Sequence, residues 1–105
     1  MFRCRVRARF SGEKVVDEQG NILELVIWRV PTSPRSPRGV RYRLAFVRRD
    51  EQNPAVLSDN HPPKGHHRHV EDVEEAYSFV DVDQLLEDFV ADVRRITGDD
   101  RWPRR

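Results

Sequence analysis

Only one cysteine, Cys4, occurs in the 105 residues, so no internal disulfide can form and a reducing, cytoplasmic setting is expected. Cys4 falls on what reads as an apolar strand face and is expected to be a buried structural thiol. Long apolar runs are missing too. Nothing approaches the ~20 residues of a membrane-spanning helix, and the Arg-rich start lacks the apolar stretch of a secretory signal. No membrane association is expected. Lysine is scarce, Lys14 and Lys64 being the only two among 19 cations. The rest are arginine, the side chain that grips phosphate bidentately and stacks on bases. The sequence carries no internal repeat, heptad pattern or phosphate-binding Gly loop.

What is present suits one small domain. Hydrophobic content is 37% and charged content 35%, enough for a single core. A domain over residues 1–98 is expected, with a frayed tail over 99–105 from which Trp102 can pack back. The net charge of +1 hides a polarity: residues 1–50 carry twelve Lys/Arg against five Asp/Glu, and residues 51–105 carry seven against thirteen. An Arg-rich half suits a polyanionic partner.

Alternation marks the first strand, with Phe2, Cys4, Val6, Ala8 and Phe10 on one side and Arg3, Arg5, Arg7 and Arg9 on the other. Ser11-Gly12 and Gln19-Gly20-Asn21 bracket a polar connection. Ile22–Val30 is almost continuously apolar, as a central strand is. Three prolines across residues 31–39 preclude a strand there and predict a long hairpin loop. Val40–Arg48 alternates again, with Arg41 and Arg43 opposite Val40, Tyr42, Leu44 and Phe46. A short strand is expected around Pro54–Ser58, then an acidic loop (Glu71, Asp72, Glu74, Glu75), then a last strand over Ala76–Val80. Asp81 reads as an N-cap with Gln84 at N3. Val82, Leu85, Leu86, Phe89, Val90, Val93 and Ile96 form an apolar stripe, Arg94 and Arg95 suit the negative end of the helix dipole, and Gly98 ends it. The predicted fold is α+β: an antiparallel meander of four to five strands with one C-terminal amphipathic helix packed on one face.

The chemistry concentrates in residues 59–69, Asp-Asn-His-Pro-Pro-Lys-Gly-His-His-Arg-His, which hold all four histidines. Histidine exchanges protons near neutral pH. His67 and His69 are two apart, so an extended backbone sets both on one side and Arg68 on the other. Gly65 permits a turn that brings Lys64 alongside, and Asp59 or Asn60 can orient an imidazole. Three readings follow. The first is metal-independent cleavage of RNA. It needs a base for the 2′-hydroxyl, an acid for the leaving 5′-oxygen and cations for the phosphorane. The second is a metal ion held by His67 and His69 with Asp59 or His61. The third is a binding module without chemistry, nucleic acid on the Arg faces or a basic partner on the acidic segment.

Several segments carry a resemblance: Ile-Leu-Glu-Leu-Val-Ile-Trp-Arg-Val, Tyr-Arg-Leu-Ala-Phe-Val, Asp59-Asn60, Lys64-Gly65-x-His67-x-His69, Tyr77-x-Phe79 and Asp-Gln-Leu-Leu-x-Asp-Phe. Over roughly residues 20–97 the chain resembles the TumE-like family, small prokaryotic toxins of toxin–antitoxin pairs. The resemblance implies a cytoplasmic toxin neutralised by an antitoxin protein with a helix-turn-helix DNA-binding domain. The Pro-rich loop 31–39, His61-Pro62-Pro63 and His66 are additions to the family pattern. Residues and resemblance together lead us to expect a toxin acting on RNA, an endoribonuclease. His67 and His69 are expected as acid and base, Lys64 and Arg68 as charge stabilisers and Asp59 as the orienting group. Arg3, Arg5, Arg7, Arg41 and Arg43 are expected to hold RNA, with no metal and no cofactor.

Overall fold

The computed structural model describes residues 9–62 and 64–102. Six strands form one antiparallel sheet in chain order: β1 Arg9–Val16, β2 Ile22–Arg29, β3 Val40–Val47, β4 Val56–Asp59, β5 His67–Val70 and β6 Val73–Ala76. One helix among the described residues, α1 Val82–Thr97, follows. The expected α+β meander is there, with six strands rather than four to five. The extra strand comes from the acidic segment, because Glu74 and Glu75 belong to β6 and only Glu71 and Asp72 turn the chain. All four β6 residues are exposed, so no buried alternation marks the strand in sequence. Its turn uses Glu71 at φ 57° without the usual Gly or Asn. Residues 77–80, expected as the last strand, are irregular, and their Tyr77 and Phe79 pack against the core instead.

At the other edge, Ser11-Gly12 lies inside β1 and not in a connection, and the register shifts between Arg9 and Ser11, a bulge that accommodates the extra residue. Phe2, Arg3, Cys4, Arg5, Val6, Arg7 and Ala8 lie outside the described residues. The β1–β2 turn is built on Asp17, whose carboxylate accepts hydrogen bonds from the backbones of Gln19 and Asn21, from the Asn21 side chain and from Trp102 Nε1 at 3.1 Å. Burial alone would raise the Asp17 pKa, but these bonds, led by those from Asn21, outweigh it and hold the carboxyl below its ordinary value. Trp102 itself is buried, edge-on to Phe46 at 5.3 Å between ring centres.

Pairing register decides which side chains share a face. Leu23, Ile27, Tyr42, Leu44, Phe46 and Val56 point to one side and meet Leu85, Phe89 and Val93 of α1. Each such side chain, taken fully out of water, contributes about 1.5–3 kcal/mol. The helix starts where the Asp81 carboxylate accepts from Gln84 N at 2.8 Å, and it stops at Gly98, φ 71°, whose N–H donates to Arg94 O. Only the glycine adopts that left-handed cap without strain. The opposite face of the sheet carries no helix among the described residues, and it is there that His67 and His69 stand.

Candidate active site on the open face of the sheet

Two rows cross the open face. Val26, Arg43, Asp59, His67 and Ala76 are successive cross-strand partners, and so are Glu24, Ala45, Leu57, His69 and Glu74. Trp28 and Arg41 pair one step beyond the first row. Strands lie roughly 4.8 Å apart, so Arg43 and His67 are separated by about 10 Å. His67 and His69 therefore share a face, as their spacing predicts, and their rings stand 5.3 Å apart at 72°.

His67 is the more constrained ring. Its Nδ1 donates to the carbonyl of Gly65 at 2.9 Å, which leaves Nε2 facing Asp59 Oδ1 at 2.9 Å. That carboxylate oxygen is buried and has no aligned hydrogen-bond donor, so the approach is an electrostatic contact rather than a directed bond. With Nδ1 already a donor, Nε2 can face a carboxylate comfortably only when a cation, a proton in the simplest case, lies between them. Gly65 sits at φ 76°, a backbone position that an L side chain takes only with strain, and its geometry aims the carbonyl at the ring.

His69 Nε2 and His67 Nε2 lie 3.8 and 4.0 Å from Glu74 Oε2, and Lys64 Nζ donates to the same oxygen at 2.9 Å. The Lys64 bond is the main reason that the Glu74 carboxyl titrates below its ordinary value; slight desolvation works against it, and Lys64, His69 and His67 add favourable charge. Asp59, Lys64, His67 and His69 are thus brought together, and Glu74 joins them. Sequence reasoning took Glu74 for part of a solvated loop. The signal that finds it is non-local: a two-residue turn at Glu71-Asp72 puts Glu74 opposite His69.

Arg68 is not part of this group. Strand alternation turns it to the helix face, where it binds Glu75 at 2.6 Å and Asp92 at 3.2 Å, with Arg95 on the second oxygen of the buried Asp92. Desolvation works against the Arg68 charge, but Glu75, Asp92 and Asp88 outweigh it and raise its pKa. Asn60 is structural as well. It accepts from Tyr42 N at 2.9 Å and donates to Val40 O at 2.7 Å, tying the loop after β4 to β3.

Arg43 makes one exposed ion pair, to Glu24 at 3.3 Å, the kind worth little and easily exchanged for a phosphate. Arg41 Nε is buried with no hydrogen-bond partner among the described residues. Both arginines line a groove of about 350 Å³ with Trp28, Tyr42, Asn60 and His61. Arg3, Arg5 and Arg7 lie outside the described residues.

His66 turns away from the pair. Its Nδ1 accepts from the Tyr42 hydroxyl at 2.9 Å, and its ring stacks on Phe79 at 4.9 Å. Burial lowers its pKa, and Arg38 and His67 lower it further. Burial raises the Tyr42 phenol, with added repulsion from Tyr77 and Asp59. The phenol therefore keeps its proton and donates it to a neutral imidazole. Arg38 lies 5.2 Å above the Phe79 ring and donates to the carbonyls of Phe79 and Val80. Arg38 and His66 border a second cleft of about 650 Å³ beneath the Pro-rich loop.

No helix among the described residues is long and apolar enough to cross a membrane. Residues 3–97 match the family model described as Toxin TumE. No curated protein and no solved structure matches the chain.

Proposed function

Since the chain belongs to the TumE family of toxins, whose activity implies an antitoxin partner, we propose that it arrests growth by cleaving RNA in the cytoplasm without a metal. Its antitoxin carries a helix-turn-helix DNA-binding domain. His69 removes the proton of a ribose 2′-hydroxyl, the freed oxygen bonds to the adjacent phosphorus, and the bond from phosphorus to the 5′-oxygen breaks. His67 delivers a proton to that 5′-oxygen, leaving a 2′,3′-cyclic phosphate and a free 5′-hydroxyl. His67 suits the acid role because its ring is held in place, Nδ1 on the Gly65 carbonyl and Nε2 beside the Asp59 carboxylate at 2.9 Å. His69 suits the base role because its side chain is more open. Lys64 neutralises the phosphorane and Asp59 orients His67. Arg41 and Arg43, with Arg3, Arg5 and Arg7, hold the RNA backbone, and Trp28 offers a base a ring to stack on. Arg68 acts as a positioning residue that fixes β5.

The observation that carries this reading is the common face shared by His67, His69, Asp59, Arg41 and Arg43 in adjacent register. Tag-free protein incubated with RNA, with and without EDTA, tests it. Cyclic-phosphate ends that form in both conditions, undiminished by EDTA, are expected, and disappear with His67→Ala. Cleavage that requires a metal, or none at all from a protein still toxic in cells, overturns it; the second outcome favours a toxin that acts by binding.

A further inference from the structure

We infer that His67, His69 and Glu74 also form a site for a divalent transition-metal ion, and that filling it switches the nuclease off. The inference of a switch rests on the reading above; the metal site stands on geometry alone. One ligand atom from each of the three residues lies within 4.8 Å of the others. A tetrahedral ion with bonds of about 2.0–2.2 Å sets its ligands roughly 3.3 Å apart, so the 3.8 and 4.0 Å separations from Glu74 Oε2 to the two Nε2 atoms need contract only slightly. The three side chains come from two paired strands, His69 and Glu74 being direct cross-strand partners.

The surroundings are those of a metal ligand shell. The Gly65 carbonyl accepts the Nδ1 proton of His67, the outer contact that usually orients a ligating imidazole and fixes its tautomer. Nε2 is then aimed at a cation. Asp59 Oδ1, 2.9 Å away and buried without an aligned donor, adds a second carboxylate beside the ring. Two carboxylates beside two neutral imidazoles balance a divalent charge. Without the ion, Lys64 takes its place: the ammonium sits on Glu74 Oε2, and its side chain is 60% exposed and free to leave. Nitrogen donors select zinc, cobalt or nickel over magnesium or calcium. An ion bound there occupies both imidazole lone pairs, so neither ring can take or give a proton. Zinc is accordingly an inhibitor, and chelation restores activity.

EDTA-treated, tag-free full-length protein titrated with Co²⁺, followed by its visible absorption, tests the site without any RNA. One ion per chain is expected, with the intensity of a four-coordinate complex, displaced by Zn²⁺. Glu74→Gln, in an exposed strand where folding is checked by thermal unfolding, removes the signal. Lys64→Met tightens binding about two- to fivefold, the scale of one surface ion pair lost as a competitor. No saturable binding, binding untouched by Glu74→Gln, or weaker binding by Lys64→Met overturns the site. Cleavage that persists at saturating Zn²⁺ overturns the switch and leaves the site. A protein that never cleaves RNA overturns the nuclease reading and with it the switch, while the Co²⁺ titration still decides the site.

Discussion

On the helix-covered face of β5, Arg68 is clamped between the exposed Glu75 and the buried Asp92, so its charge is matched on both sides. One residue to either side on the same strand, the largely buried His67 and the more open His69 lie on the face without the helix, beside charges that are only partly matched: a buried carboxylate oxygen without an aligned donor, and a glutamate shared between a lysine and two imidazoles. Apolar packing and closed ion pairs hold one face, and open valences occupy the other. A strand alternates its side chains with period two, so one four-residue segment can serve both purposes. Stability and chemistry are therefore separable by mutation, to a degree that can be measured.

The largest separation is expected at His69. His69→Ala lowers RNA cleavage by ~10²–10⁴-fold, the usual weight of one acid or base, with little change in thermal unfolding; a parallel loss of both would break the division. Phe89→Ala does the reverse, costing about 3–5 kcal/mol in denaturant unfolding through the cavity it leaves against the sheet, with cleavage per folded molecule preserved. Arg68→Met costs about 1–3 kcal/mol because Asp92 keeps only Arg95. A catalytic loss in a folded, correctly registered Arg68→Met protein would return Arg68 to the reacting group. Replacing Arg41 and Arg43 by Ala together lowers the salt slope of single-stranded RNA binding by about 1.4, near 0.7 for each phosphate contact, and leaves the unfolding midpoint almost unchanged.

The smallest effect sits at His66, on the buried side. Its folded pKa lies below the ordinary 6.5, so between those two values the unfolded chain binds a proton that the folded chain does not. Stability therefore falls as pH drops through 6.5 and levels off below the folded value. Asp17 and Glu74, lowered from 3.8 and 4.5, act at more acid pH. The groups facing His66 are Tyr42, Phe79, Arg38 and His67. His66→Gln should flatten the thermal-unfolding profile between pH 7.5 and 5.5 by a few degrees or less; an unchanged slope would assign the acid sensitivity elsewhere.

Helix α1 was legible in sequence from end to end, because its cap at Asp81, its apolar stripe and its stop at Gly98 are all local signals. The histidine pair was legible for the same reason, since two residues of extended chain suffice to put both on one face. Strand β6 was not. It buries nothing, so it shows no hydrophobic alternation, and its turn at Glu71 lacks glycine. Glu74 was hidden with it, because a cross-strand partner is defined by a pairing that no window of sequence contains. His66 looked like a surplus member of a cluster. Its role depends on Tyr42, 24 residues away.

The clamp on Arg68 has a consequence for control. Strand β5 works as a lever with the helix gripping one side and two imidazoles mounted on the other. A protein that seized α1 and drew Asp92 away from Arg68 would let the strand drift, and the alignment of His67 with Asp59 would go with it. Neutralising such a toxin would then not require reaching the imidazoles; contact with the helix behind the sheet would suffice.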